Sequence, residues 1–161
     1  MTPIRATVLA GLAGLILGIG STVAFQRDAL AQSRSARRVI RPEKGPNTGL
    51  PFSPGILVGN TLYISGHLGR DPSTNALVRG GIEAETRQSL ANIREVLKAA
   101  GMDFKDVTTV TAYIVSFAEF AKFNAIYRET FPSDQPARAT VQVAALNDGA
   151  RVELQMIAVK P

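Results

Sequence analysis

From Pro51 onward, apolar and polar positions fall into regular patterns. Gly55-Ile56-Leu57-Val58 and Thr61-Leu62-Tyr63-Ile64-Ser65 are two β-like runs separated by Gly59-Asn60, a dipeptide suited to a tight hairpin. Residues 66–81 are rich in Gly, Asp, Pro, Ser and Asn and predict a loop. From Ile82 to Ala100 the spacing becomes helical, with Leu90, Ile93, Leu97 and Ala100 on one face and Arg87, Arg94, Glu95 and Lys98 mostly elsewhere. Gly101 supplies a helix stop. Val107–Val115 is rich in Val, Thr, Tyr and Ile and predicts a third strand. Ser116-Phe117-Ala118-Glu119 has the form of a capping box and opens a second helix reaching about Thr130. That helix is striped by Phe117, Phe120, Phe123, Tyr127 and Phe131, with Asn124 on the same side. The last two runs, Ala139–Leu146 and Arg151–Val159, are joined by Asn147-Asp148-Gly149, a second hairpin signal. The order β-β-α-β-α-β-β predicts an α+β domain, a mixed sheet with helices on one face.

The N-terminal region follows different rules. Met1–Arg5 carries one positive charge, and Ala6–Phe25 is a 20-residue run without charge. Ala29-Leu30-Ala31 then fits a small-x-small cleavage site with Gln32 as the new terminus. Residues 1–31 therefore read as a secretory signal peptide, and the protein as exported, to the periplasm. The alternative is an uncleaved anchor formed by residues 6–25, in which case the chain also meets the membrane. Four glycines in the run and the arginines from Arg27 onward favour cleavage. Residues 32–48 hold arginines, Ser, Pro and Gly without apolar periodicity and predict a basic flexible linker, leaving residues 49–161 as the domain.

Charge changes the picture once it is mapped. The net charge of +5 divides into +1 over residues 1–31, +4 over residues 32–44 and zero over residues 45–161. The domain itself thus presents no electrostatic case for nucleic acid. With no cysteine and one histidine, a disulfide framework, a thiol nucleophile, a Cys-ligated zinc and a multi-histidine metal site are all excluded.

Two residues stand out as candidate chemistry. Pro136-Ala137-Arg138-Ala139-Thr140 places an arginine at the mouth of an apolar strand, and Arg151-Val152-Glu153-Leu154 places a glutamate inside the next. Either is expensive to bury without a partner. A planar guanidinium suits a small carboxylate, and a nearby carboxylate suits moving a proton or orienting a water.

Leu50-Pro51-Phe52-Ser53-Pro54-Gly55, Gly59-Asn60-Thr61-Leu62-Tyr63-Ile64-Ser65-Gly66, Phe120-Ala121-Lys122-Phe123-Asn124, Pro136-Ala137-Arg138 and Val152-Glu153 together resemble the RidA/YjgF family of reactive-intermediate deaminases. The resemblance covers about residues 48–160. It implies a chorismate-mutase-like α+β fold, a homotrimer with clefts between subunits, and hydrolysis of 2-enamine and 2-imine acids to 2-keto acids and ammonia. It implies no cofactor and no metal, and a small-molecule carboxylate as the partner. Arg138 matches the arginine that clamps the substrate carboxylate, and Glu153 the glutamate beside the attacking water. Ser65 and Gly66 match the pair whose hydroxyl and backbone N–H meet the ligand. Asn124 is expected to support the cleft by bonding buried backbone, and Thr140 stands where Cys or Thr is found. Three departures bear on substrate and rate. Phe52 replaces a tyrosine common in the deaminases, Ala139 a common serine, and His67 a frequent glutamine. Phe52 can pack on a substrate but donates no hydrogen bond, and His67 is a lone imidazole that could tune the pocket. The same cleft also suits a competing reading, a non-catalytic protein that binds small keto or amino acids.

Overall fold

A computed structural model describes residues 36–43, 49 and 51–161. The signal peptide expected over 1–31 lies outside the described residues, as does much of the expected linker. The elements in chain order are β1 (Arg37–Ile40), β2 (Gly55–Val58), β3 (Thr61–Leu68), α1 (Gly81–Ala99), β4 (Val107–Ile114), α2 (Phe120–Thr130), β5 (Ala137–Gln142) and β6 (Val152–Val159). The strands form one sheet in the order β1-β2-β3-β6-β4-β5. β4 and β5 run parallel and the other neighbours antiparallel, so the sheet is mixed as expected.

Alternation along the strands decides which face is covered. Leu62 and Ile64 of β3, Val110, Ala112 and Ile114 of β4, and Val152, Leu154, Met156 and Ala158 of β6 are buried on one face. They share a core with Ile82, Leu90, Ile93, Val96 and Leu97 of α1 and Phe123, Ile126 and Tyr127 of α2. Each large apolar side chain removed from water stabilises the fold by about 1.5–3 kcal/mol, which is why these periodic positions fix the layer order. The expected helix over 82–100 and strand over 107–115 are thus present to within a residue or two.

α1 also buries a polar line that periodicity alone does not announce. Ser89 Oγ donates to the His67 carbonyl at 2.8 Å, and Asn92 Nδ2 donates to the Leu68 and Arg70 carbonyls at 3.2 and 2.8 Å. Glu85 is 5% exposed and accepts the backbone N–H of Arg151 at 2.7 Å. These bonds satisfy strand-end backbone groups that would otherwise be buried without partners.

The structure corrects four expectations. First, residues 37–40 lie inside the expected linker but form edge strand β1, paired with β2 from Arg37↔Val58 to Ile40↔Gly55. Ile40, 4% exposed, enters the core, while Arg37 and Arg38 keep the edge charged and solvated. Second, Asn147-Asp148-Gly149 is a short 3-10 turn rather than a hairpin. β5 and β6 are not neighbours: β5 takes the sheet edge beside β4, and β6 enters between β3 and β4. Asp148 at φ 56° and Gly149 at φ 73° redirect the chain there, and Asp148 pairs with Arg70. Third, β5 begins at Ala137 and ends at Gln142, earlier than the expected run to Leu146. Fourth, Ser116 caps through Oγ, accepting the Ala118 N–H at 3.2 Å, but Glu119 does not complete the box. A 3-10 turn over Phe117–Glu119 intervenes before α2, and the Glu119 carboxylate instead accepts two bonds from Arg151 at 2.9 Å. A complete capping box occurs at Asp103 and Asp106, ahead of β4. The hairpin expected at Gly59-Asn60 is present, with Gly59 at φ 61° joining Val58 to Thr61.

Candidate active site

Arg138 is placed by β5 and held by α2. It pairs across the sheet with Val110, whose side chain belongs to the core, so Arg138 lies on the helix-covered face. The aromatic stripe of α2 continues as a chain of ring contacts from Phe117 through Phe120, Phe123 and Tyr127 to Phe131, which meets Phe104 edge-on. The Arg138 guanidinium sits over three of these rings, 4.4 Å from the centroid of Tyr127, 5.2 Å from Phe123 and 5.9 Å from Phe120. Stacking satisfies the planar face of the cation and leaves its edge donors for ligands. One of those donors meets Asn124 Oδ1 at 2.7 Å. Asn124 therefore positions the arginine rather than bonding buried backbone as expected. Thr140 lies two residues along β5 on the same face, opposite Ala112.

An open cavity of about 310 Å³ lies at this arginine, lined by Asn124, Tyr127, Arg128, Gln135, Pro136 and Arg138. The sequence marks Tyr127 only as part of the apolar stripe, and does not single out Arg128 or Gln135. Their signal is positional: Tyr127 and Arg128 follow Asn124 at helical spacings of three and four, and Gln135 directly precedes Pro136-Ala137-Arg138. Tyr127 is buried, and its hydroxyl has no hydrogen-bond partner among the described residues. Burial pushes the Tyr127 phenol up to about 12 against the opposing effect of the Arg138 charge, so it stays a neutral O–H donor.

Glu153 occupies the opposite face. It pairs with Tyr113 on β4, three residues from Val110 with an unbroken register between them, and its neighbours Val152 and Leu154 point into the core. Because successive strand residues alternate, Glu153 and Arg138 project from opposite faces of the sheet. The strands around Glu153 are adapted to it. The ladder between β3 and β6 shifts register between Ile64 and His67, and a Cβ added at Gly66 would overlap the Glu153 carboxylate. Glycine at 66 is thus required by close approach. Partial burial raises the Glu153 carboxyl above the ordinary glutamate range.

Ser65 and His67 flank that glycine. Ser65 Oγ donates to the Ser53 carbonyl at 2.7 Å, and its N–H donates to the Pro54 carbonyl at 3.0 Å. The hydroxyl proton is therefore committed, and only the oxygen lone pairs remain for a ligand. His67 pairs with Leu154 and points toward the helices. Desolvation drives its imidazole down to about 4, against a smaller raising contribution from a hydrogen bond to the Pro54 backbone, and Nε2 is buried without a partner. Phe52, in the bend before β2, is 49% exposed. One chain therefore gathers Arg138, Asn124 and Thr140 on one face, and Glu153 with Gly66 on the other. No cluster of His, Cys, Asp or Glu suited to a metal ion exists among the described residues.

The profile of the family described as Endoribonuclease L-PSP matches residues 43–160. The chain belongs to this family. A 2-iminobutanoate/2-iminopropanoate deaminase of Capra hircus is 46% identical over 128 residues, 80% of this chain and 93% of that protein. Among solved structures, this L-PSP family member is similar to RidA of the Antarctic bacterium Psychrobacter sp., with a TM-score of 0.73, 36% identity, and coverage of 76% of this chain and 99% of that one. It is also similar to E. coli TdcF, solved with bound serine, at a TM-score of 0.73, 28% identity, and coverage of 77% and 99%. The RidA-like fold expected from the motifs is therefore the fold of this chain.

Proposed function

We propose that this protein hydrolyses 2-imino acids and their enamine tautomers, of the 2-aminoacrylate type, to 2-keto acids and ammonia, in clefts between copies of the chain. The observation that carries the reading is the state of Arg138: stacked on Tyr127, fixed by Asn124 and facing an open cavity. A guanidinium so held is preorganised for a planar carboxylate, and the curated relatives named as iminobutanoate deaminases act on such acids. Glu153, on the other face, reaches the same ligand only if a second copy supplies it. The homotrimer with inter-subunit clefts is the arrangement that joins the two half-sites.

The step is a hydration followed by elimination. Water adds through oxygen to the carbon of the protonated imine, C=NH2⁺, while Glu153 accepts its proton and the C=N π pair moves to nitrogen, giving a neutral carbinolamine. Glu153 then returns the proton to the NH2 group, making it NH3⁺. The C–N bond breaks with its electron pair leaving on nitrogen as NH3, while the remaining O–H proton passes to Glu153 and C=O forms. Water is the only co-reactant consumed. Burial raises the Glu153 carboxyl, which makes its carboxylate a stronger base toward the attacking water than an ordinary glutamate.

A second reading has its own support. Phe52 lacks the phenolic donor that many deaminases carry, and the Ser65 proton is spent on Ser53. These losses favour a protein that binds keto or amino acids without turning them over. Nucleic-acid cleavage, the activity in the family's description, finds no support in the zero net charge of residues 45–161. Export of the mature chain from Gln32 would place the reaction outside the cytoplasm, and N-terminal sequencing of the purified protein tests that.

The deciding assay measures ammonia released from 2-aminoacrylate generated in situ, with the wild type and Arg138→Ala in parallel. Turnover that disappears with Arg138 while circular dichroism is retained is the expected result. Equal turnover in both proteins would sink the deaminase reading. Binding without ammonia release would establish the second one.

A further inference from the structure

The cavity at Arg138 is lined by a second arginine, Arg128, that the reaction on a monocarboxylate does not use. Arg128 follows Asn124 by four residues, so it stands one helical turn along the same face of α2 as the residue that holds Arg138. No carboxylate lines the cavity. The ion pairs among the described residues are Arg70–Asp148, Arg87–Glu129, Lys98–Glu95 and Arg151–Glu119, and none involves Arg128. Its neighbour Glu129, the nearest acid in sequence, is engaged by Arg87 across to α1.

Two cations lining one pocket without a counter-ion repel each other and raise the local concentration of anions. Nothing in the fold requires this pairing: Arg128 is exposed, and a residue there is free to be neutral or acidic at little cost to α2. The Tyr127 hydroxyl is buried without a protein partner among the described residues, and the Gln135 amide nitrogen is tied to the Phe131 and Pro132 carbonyls at 3.3 Å. The lining therefore carries two cationic residues and no anionic one, and a ligand with a negative charge at each end would satisfy it.

We propose that the substrates of this cleft carry a second carboxylate bound by Arg128, making them 2-imino dicarboxylates of four or five carbons rather than 2-imino monocarboxylates. This inference rests on the deaminase reading for the word substrate, but not for the binding preference. Arg138 takes the carboxylate next to the imine carbon and Arg128 takes the distal one.

The test uses the full chain and two imines made in situ by amino-acid oxidases: 2-iminoglutarate from glutamate and 2-iminobutanoate from 2-aminobutyrate. Each is followed by loss of the semicarbazide-trapped imine above the spontaneous rate. The wild type is expected to favour 2-iminoglutarate in kcat/KM. In Arg128→Gln the ratio of the two kcat/KM values should fall about tenfold or more, chiefly through KM, as expected for loss of one charged contact. Arg128→Lys, which keeps the charge, should recover most of that ratio. A ratio unmoved by Arg128→Gln overturns the proposal. Calorimetry with 2-oxoglutarate and 2-oxobutanoate separates the two readings if neither imine is hydrolysed. A preference for 2-oxoglutarate that Arg128→Gln removes upholds the dicarboxylate site and discards catalysis, whereas equal affinities discard both.

Discussion

The two faces of the sheet are built from the same strands and end in different situations. On the covered face, the buried apolar strand residues share one core with α1 and α2, and Arg138 is stacked on Tyr127 and hydrogen-bonded to Asn124 within the chain itself. On the open face, Val58 is 39% exposed, Tyr63 50% and Val141 45%, and no helix of the described residues covers them. Glu153 rises in that uncovered field, its space cleared by Gly66. An antiparallel-rich sheet tolerates one wet face, and this one mixes Thr61, Thr109, Thr111 and Gln155 with the exposed Val58, Tyr63 and Val141. The contrast shows a fold complete within one chain. Under the proposed function, the covered face would make the carboxylate clamp, and the open face, by recruiting a second copy, would make the water-handling half.

Breaking the open face should have the largest effect. Tyr63→Glu with Val141→Asp places charge where a second copy would pack. Light scattering should show the oligomer reduced to monomer, and turnover should fall by about 10²-fold or more, since the two half-sites no longer meet. Turnover that persists in a monomer would show that one chain suffices. Glu153→Gln acts on the same face without disturbing association, and kcat should fall about 10²–10⁴-fold with little change in ligand affinity. Because burial raises the Glu153 carboxyl, the acid limb of the wild-type pH–rate profile should lie above the ordinary glutamate range. A limb at or below pH 4.5, the unshifted value, would remove Glu153 as the base.

On the covered face, the effect expected is on stability. His67 is held neutral, its pKa lowered from 6.5 to about 4. The unfolded chain therefore binds the proton first, and stability from this group is fully present above pH 6.5 and lost as pH falls toward 4. At about 1.36 kcal/mol per pKa unit the loss approaches roughly 3 kcal/mol. Urea titrations of wild type and His67→Gln at pH 7 and pH 4.5 should show this slope in the first protein and its reduction in the second. The smallest change is expected from Phe52→Tyr, which restores a phenolic donor at an exposed position and should raise turnover a few-fold, about the worth of one hydrogen bond at an exposed site. A variant with lower turnover would place the ring of Phe52 in packing rather than at the ligand.

Much of this was legible before the structure because its signals are local. Helical spacing marks α1 and α2, β-branched runs mark β3, β4 and β6, and Gly59-Asn60 marks its hairpin. What escaped is set by long-range pairing. Asn147-Asp148-Gly149 has the composition of a hairpin, yet β6 gains more by entering between β3 and β4 than by pairing with its chain neighbour. Arg37–Ile40 looks like linker because its single core residue, Ile40, carries no period of its own. Arg138 and Glu153 were found as polar residues in apolar strands, but their opposite faces follow only from register. Arg128 was invisible as part of a site because an exposed arginine near a helix end is ordinary until a cavity is seen beside it.

The central position of β6 has a consequence for how the chain is made. β3 and β4 cannot complete their ladders with each other, and both wait for the last strand of the domain. On the ribosome, the growing polypeptide therefore carries two unfilled strand edges and an unsealed core until the end of the domain has emerged. Without its final strand the domain cannot lock, so folding of this sheet has to follow completion of the chain rather than accompany its synthesis.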